Sequence, residues 1–189
     1  MDIVNALITK EMLYEDISGN LVFVGLDENN KPRFASLRGT NENNNYRADC
    51  KGSDKRYSFR MMAEKPKRSI YVFESPIGAI SQASIKNIEA GNNQAWKHDN
   101  RLSLSGTSLI AMDFYLQTNK AIKELILCLD NDEAGRKATA AIIDKYTRQG
   151  YKVVDEPPKA KDYSEDLQVL RAQLREKKRS RTKSRGMEI

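Results

Sequence analysis

Leu125-Ile126-Leu127-Cys128-Leu129-Asp130-Asn131-Asp132-Glu133-Ala134-Gly135-Arg136 carries the strongest structural signal in the chain. Five consecutive apolar residues closed off by charge read as a buried strand of a parallel sheet. Two aspartates one residue apart follow, and then an amphipathic alternation that opens a helix over 133–148. In open α/β sheets, ligands sit beyond the carboxyl ends of the strands. Asp130 and Asp132 therefore fall where a site is expected, and two carboxylates that close call for a cation. A donor set of oxygens alone suits Mg²⁺, commonly held by one or two carboxylates together with substrate phosphates. A structural reading also fits this stretch alone: Asp132 as the helix N-cap and Asp130 as the end of a strand.

A second strand ends in a carboxylate. Ser69-Ile70-Tyr71-Val72-Phe73-Glu74 is short, apolar and β-rich, and Ser75-Pro76 after it supplies a cap and a first helical position. A glutamate ending one parallel strand and an Asp-x-Asp ending another can meet over the sheet's edge. This arrangement resembles the Toprim domain of bacterial primases, type IA and type II topoisomerases, old-type nucleases and recombination-repair proteins. The resemblance spans 69–170 and rests on three blocks. Glu74 stands in Phe-Glu-Ser-Pro-Ile-Gly-Ala-Ile-Ser, and Asp130 and Asp132 stand in Asp-Asn-Asp-Glu-Ala-Gly-Arg. Lys161-Asp162-Tyr163-Ser164-Glu165 is similar to the late Lys-Asp block of the primase-like branch. Two positions depart from that branch: Gly78 stands where an aspartate is usual, and Ser164 where a second late acid is common.

The resemblance implies a Rossmann-like, mostly parallel sheet with flanking helices. It also implies Mg²⁺ or Mn²⁺ held by Glu74, Asp130, Asp132 and Asp162, with Glu74, Asp130 and Asp132 as the catalytic set. The metal would polarise a phosphoryl oxygen in phosphoryl transfer. Arg136 and Lys161 are expected to contact phosphates. Ser105-Gly106-Thr107 is similar to the family's strand-to-helix glycine turn, and a tight turn with a helix cap explains it equally well.

Length and composition agree. A chain of 189 residues, 39% hydrophobic and 31% charged, holds one ordinary domain plus a small appendage. No apolar run approaches the roughly 20 residues that cross a bilayer, and the amino terminus lacks a secretory pattern, so a cytoplasmic protein is expected. Cys50 and Cys128 are not expected to form a disulfide there. With His98 as the single histidine they cannot complete a zinc site. Trp96 and His98 read as surface or core filler.

Ahead of 67 lie β-like pieces at 21–26, 33–37, 46–50 and 56–60, separated by turn-rich segments at 27–32 and 41–45; residues 1–16 read as a short helix and a strand. This implies a small antiparallel β-rich subdomain over 1–66. Two loops within it, Ser36-Leu37-Arg38-Gly39-Thr40 and Lys51-Gly52-Ser53-Asp54-Lys55-Arg56, place cations beside glycines and hydroxyls. They read as hairpin turns from composition. By resemblance to Toprim proteins of plasmids and other mobile elements, Arg38 and Lys55 become phosphate contacts. From 67 to 170, strands at 69–73, 101–104, 124–129 and 151–154 alternate with helices at 76–90, 107–118, 133–148 and 164–177, the pattern of crossover connections. The start directly in the β-rich region is that expected of a piece of a longer protein.

The net charge of +6 resides at one end. Residues 1–170 carry 24 basic and 24 acidic side chains, and residues 171–189 carry eight and two. The tail cannot pack and is expected to fray from the last helix. Its density of cations points to a polyanion, nucleic acid above all, and it lacks the apolar anchors of a membrane-surface segment.

Three readings follow. One is a primase-like nucleotidyltransferase in replication or transfer of a mobile element, acting on single-stranded DNA or RNA with nucleotides, beside a helicase or zinc-binding partner and with no membrane contact. The second is an old-type metal-dependent nuclease. The third is a non-catalytic Toprim module that binds nucleic acid or a partner, the reading that Gly78 favours.

Overall fold

The structure is a computed structural model and describes residues 2–40 and 46–185, the side chains of 181–185 excepted. The turn expected at 41–45 and the last four residues of the tail lie outside the described residues.

Helix α1 (Ile3–Thr9) opens the chain, capped by the Asp2 side chain on the Asn5 N–H. Four antiparallel strands follow in the order β1 (Leu13–Glu15), β2 (Leu21–Leu26), β3 (Pro32–Arg38), β4 (Arg47–Asp49). The turns joining β1 to β2 and β2 to β3 are set by aspartates. Asp16 accepts the N–H groups of Ser18 and Asn20, and Asp27 accepts those of Asn29 and Lys31. Such side-chain-to-backbone bonds mimic a turn's own hydrogen bond. The expected helix, strand and antiparallel sheet are all present.

Residues 56–60 do not form the expected strand of this sheet. Asp54 caps a short 3₁₀ turn (Lys55–Tyr57) by accepting the Arg56 N–H, and its carboxylate also grips the Arg56 guanidinium. Local bonds of this kind compete with a ladder. The strand that follows, β5 (Arg60–Met61), pairs antiparallel with the second sheet instead. Strand β2 passes close beneath the turn: a Cβ on Gly25 would lie 1.7 Å from the Tyr57 carbonyl oxygen.

The second sheet contains β6 (Ser69–Phe73), β7 (Asn100–Ser103), β8 (Glu124–Leu127) and β9 (Lys152–Asp155) in the order β5-β7-β6-β8-β9, all parallel except β5. Helices α2 (Pro76–Glu89), α3 (Ile110–Thr118), α4 (Glu133–Arg148) and α5 (Tyr163–Arg185) alternate with these strands. Side chains of β6 and β8 point alternately to two cores. Ile70, Val72, Leu125 and Leu127 pack with Met112 and Tyr115 of α3 and with Ile142 and Tyr146 of α4. Phe73 and Cys128 pack with Ala79 and Ala83 of α2, Tyr163 of α5, and Leu13, Phe23 and Phe59 from the first part of the chain. Val72, Leu125 and Leu127 are fully buried, each contributing about 1.5–3 kcal/mol by removal from water. The helices that follow β6 and β8 thus lie on opposite faces, which makes the gap between these two carboxyl ends the sheet's switch point.

Two helix ends differ from expectation. Helix α3 starts at Ile110 rather than at 107, because Ser105 (φ 50°) and Gly106 (φ 112°) form a left-handed turn before it. Helix α5 does not fray near 177 but continues to Arg185. Trp96 is buried and receives Arg101, whose guanidinium donates to the Trp96 and Asp99 carbonyls and to the Gln82 side chain. Among the described residues no helix is long and apolar enough to cross a membrane.

Candidate functional site

Glu74 follows β6 directly, and Asp130 follows the buried run that extends β8. The two meet at the switch point, where Oε1 of Glu74 accepts the backbone N–H of Asp130 at 3.2 Å. The first turn of α4 presses onto this link. A Cβ on Gly135 would lie 2.0 Å from the Asp130 carbonyl oxygen and 2.6 Å from Oε1 of Glu74, so glycine is what lets the helix start there. Asp132 caps α4, its Oδ1 accepting the Gly135 N–H at 3.0 Å. This capping role was one reading of the sequence, and it engages one oxygen of the carboxylate.

Asp162 arrives by a different route. The Asn131 N–H donates to the Lys161 carbonyl at 2.7 Å, which ties the loop before α5 to the Asp-x-Asp turn. Oδ1 of Asp162 then accepts the N–H groups of Ser164 and Glu165 and caps α5. Among the described residues the Asp130 carboxylate accepts no hydrogen bond. Its carboxyl is pushed up to about 6, first by burial and then by the charges of Asp162 and Asp132. The Glu74 carboxyl is pushed up to about 7, again first by burial and then by Asp130. Like charges held in a half-buried place resist ionisation together. Glu74 thus feels Asp130 and Asp132, and Asp130 feels Asp162 and Asp132.

Three of these carboxylates line a cavity of about 430 Å³. Glu74, Asp130 and Asp162 line it with Gly78 and the Ser105-Gly106 turn; Arg38, Arg47 and Asp49 of β3 and β4 line it too, and Phe23, Leu37 and Ile77 supply apolar surface. Arg38 and Arg47 are register partners across β3 and β4. Like charges directly opposite on an antiparallel pair are unfavourable, and here both line a cavity that acids line as well. The charge of Arg47 is felt at Asp130, whose carboxyl it pulls down.

Arg38 accordingly stands at the site, and Arg47 joins it although the sequence reading passed it over. Its signal was its place opposite Arg38 in the hairpin. Lys55 does not line the cavity but pairs at 3.2 Å with Asp49, which does. Arg136 is engaged in the scaffold: it pairs with Asp155 of β9 and donates to the carbonyls of Leu129 and Asp130. Lys161 is exposed outside the cavity lining, close enough for its charge to lower Asp130.

Among the described residues no three acids, histidines or cysteines are gathered into a metal cage. The donor chemistry still fits a hard divalent cation held in an open manner. Asp130 is a half-buried carboxylate without a donor, Asp132 and Asp162 each keep a second oxygen, and Mg²⁺ takes one or two carboxylates with water and phosphate completing its shell.

Fold and site define an α/β protein with an acidic switch point facing an antiparallel sheet. Residues 71–167 match the family model described as Toprim-like, and the chain belongs to that family. Residues 1–66 match a family described as a protein of unknown function, DUF3991. Among solved structures, a DNA primase domain from Pseudomonas aeruginosa is similar at 16% identity and a TM-score of 0.55, over 89% of this chain and 54% of that one. A DnaG primase catalytic domain bound to ssDNA is similar at 14% identity and 0.53, over 91% and 58%. The Aquifex aeolicus primase, with its zinc-binding and RNA polymerase domains, is similar at 14% identity and 0.57, over 92% and 45%. The chain thus spans about half the length of these structures. No protein of curated function matches it in sequence. The fold is similar to that of these primase domains, and the chain is a Toprim-like protein.

Proposed function

We propose that the chain is a primase-like nucleic-acid enzyme that carries out divalent-metal-dependent nucleotidyl or phosphoryl transfer at Glu74, Asp130, Asp132 and Asp162. The observation that carries this reading is the meeting of acids and arginines in one cavity. Glu74, Asp162 and the half-buried Asp130, which has no donor, line the cavity from the switch point, and Arg38 and Arg47 line it from the antiparallel sheet with Asp49 beside them. Bound Mg²⁺ or Mn²⁺ would neutralise the acids and polarise a phosphoryl oxygen. Arg38 and Arg47 would hold phosphate oxygens by charge-assisted bonds and orient them toward the acids. Glu74, with its carboxyl at about 7, can hold or release a proton near neutral pH, as a general acid or base must. Asp132 and Asp162, as helix caps, fix the acids' backbone so that little reorganisation is needed.

Single-stranded nucleic acid is the partner this reading takes, and the similar primase domain bound to ssDNA supports it. Support for a zinc-binding partner comes from the Aquifex aeolicus primase, which carries a zinc-binding domain, while two cysteines and one histidine here are too few for a zinc site. The Arg38-Gly39-Thr40 and Gly52-Ser53-Asp54-Lys55 loops support a place in replication or transfer of a mobile element.

Calorimetry of Mg²⁺ and Mn²⁺ binding, with and without single-stranded DNA and nucleotide, tests the proposal on the wild type and on Asp130→Asn/Asp132→Asn. Binding by the wild type and its loss in the double variant are expected. Metal-dependent incorporation of nucleotides on a single-stranded template would then establish the primase-like reaction. Metal-dependent strand cutting would move the reading to a nuclease. A wild type that binds no metal in any of these conditions overturns the proposal in favour of a binding module, the alternative that Gly78 favours.

A further inference from the structure

Helix α5 leaves the body of the protein beyond Leu170. Its beginning is anchored: Asp162 caps it, Tyr163 and Leu167 are buried, and it lies along α2. From Arg171 to Ser180 every residue is exposed, yet the helix continues to Arg185. Residues 171–185 contain eight basic side chains and one acid, Glu176. Arg171, Arg175 and Arg179 recur at four-residue spacing, as do Lys177 and Arg181. Like charges at this spacing work against a helix, and a helix that is polar on all sides has no apolar stripe to hold it. Among the described residues none of Arg171, Arg175, Lys177 and Arg179 forms a salt bridge. The fold thus extends a ridge of repelling cations from a helix that starts at the candidate site.

We propose that residues 171–185 are a docking surface for a nucleic-acid backbone, held by charge and without base selectivity. A polyanion laid along the ridge removes the repulsion that opposes it. The ridge rises about 1.5 Å per residue and so runs about 22 Å, the span of about six phosphates along one strand at roughly 3.4 Å each. Five of its eight cations are arginines, which pair with phosphate in bidentate fashion. A membrane surface would need apolar anchors along one face, and the ridge offers Ala172 and Leu174 alone. The choice of nucleic acid among polyanions rests on the proposed function; the surface itself does not.

The test replaces Arg171, Arg175, Lys177 and Arg179 together by glutamine, which keeps helix propensity and touches no packed residue. Binding of a labelled 30-nucleotide single strand is followed by fluorescence anisotropy from low to moderate salt. The wild type is expected to bind with a steep salt dependence. The quadruple variant should bind about tenfold or more weakly, its log–log salt slope shallower by up to about three, at roughly 0.7 for each phosphate no longer neutralised. Its melting temperature should be unchanged. The Asp130→Asn/Asp132→Asn protein should retain the ridge's share of binding, so this result stands or falls apart from the fate of the metal site. Unchanged affinity and slope in the quadruple variant overturn the proposal. So does polyglutamate of matched charge displacing the strand as well as unlabelled DNA does, since the ridge would then not serve nucleic acid.

Discussion

A methyl group separates two very different outcomes at the glycines beside Glu74. On Gly135 it would overlap the Asp130 carbonyl oxygen, 2.0 Å away, a backbone atom with nowhere to go. Gly135→Ala should therefore push α4 off the switch point and destabilise the protein by about 1–3 kcal/mol, the usual cost of overpacking, as urea unfolding would measure. On Gly78 the nearest atoms are 3.5 Å and 3.6 Å away, ordinary contact. Gly78 lies in the first turn of α2, and Gly78→Ala should be neutral or stabilising by up to about 1 kcal/mol. Titration adds a further expectation at this scale. Glu74 and Asp130 have folded-state carboxyls raised above their ordinary values, to about 7 and about 6. Between pH 4.5 and 7 the folded chain binds more protons at Glu74 than the unfolded chain does, so this group's contribution to stability falls as pH rises through that window. In EDTA, Glu74→Gln should melt above the wild type at pH 8, and the gap should close toward pH 4. Glutamine can still accept the Asp130 N–H. A gap that does not change with pH would refute the assignment.

Helices and strands were legible where one physical signal dominated. The run from Leu125 to Leu129, the Ser75-Pro76 start of α2 and the Asp132 start of α4 each combine an apolar pattern with a cap, and the structure follows them closely. Legibility failed where a short local bond outweighed periodicity. The segment 56–60 is β-like in composition, but Asp54 turns it into a 3₁₀ turn, and the two residues of β5 have no pattern to read. Helix α3 was expected three residues early because its cap position, Leu109, makes no side-chain cap bond and resembles no cap. The acids of the site were visible as strand ends, whereas Arg47 was hidden, since only the β3–β4 register shows that it faces them. The engagement of Arg136 was equally invisible, because Asp155 lies on a strand that pairs with β8 from a distant part of the chain. Arg136→Met should strip the Leu129 and Asp130 carbonyls of a donor and cost about 1–3 kcal/mol, measured by urea unfolding, with far-UV circular dichroism unchanged.

The two sheets are joined by one core rather than by a linker alone. Leu13 and Phe23 of the first sheet pack in the same cluster as Phe73, Ala79 and Cys128 around the second, and Phe59 between them is fully buried. Phe23 and Phe59 meet edge to face at 5.8 Å. A division of the chain near 66 would therefore cut through packed apolar surface. Residues 1–189 should unfold in a single transition, with coincident fluorescence and circular dichroism curves. A chain starting at 67 should bind a hydrophobic dye and melt well below the intact protein. Two separate transitions would instead establish independent units.

The link from Glu74 to the Asp130 N–H, closed over by the bare Cα of Gly135, has an evolutionary corollary. Three positions spread over the chain from 74 to 135 meet within one hydrogen bond and one missing methyl. A change at Glu74 or Gly135 alters what the other can be, so these two should show strong epistasis, while position 130 takes part through its backbone and needs only to avoid proline. The link also holds the start of α4 and the end of β8, quite apart from any chemistry. A descendant without the site's chemistry would still feel selection for folding at Gly135. Of the three, glycine is what the fold itself demands, whereas the side chains of Glu74 and Asp130 are left to answer to the chemistry of the cavity.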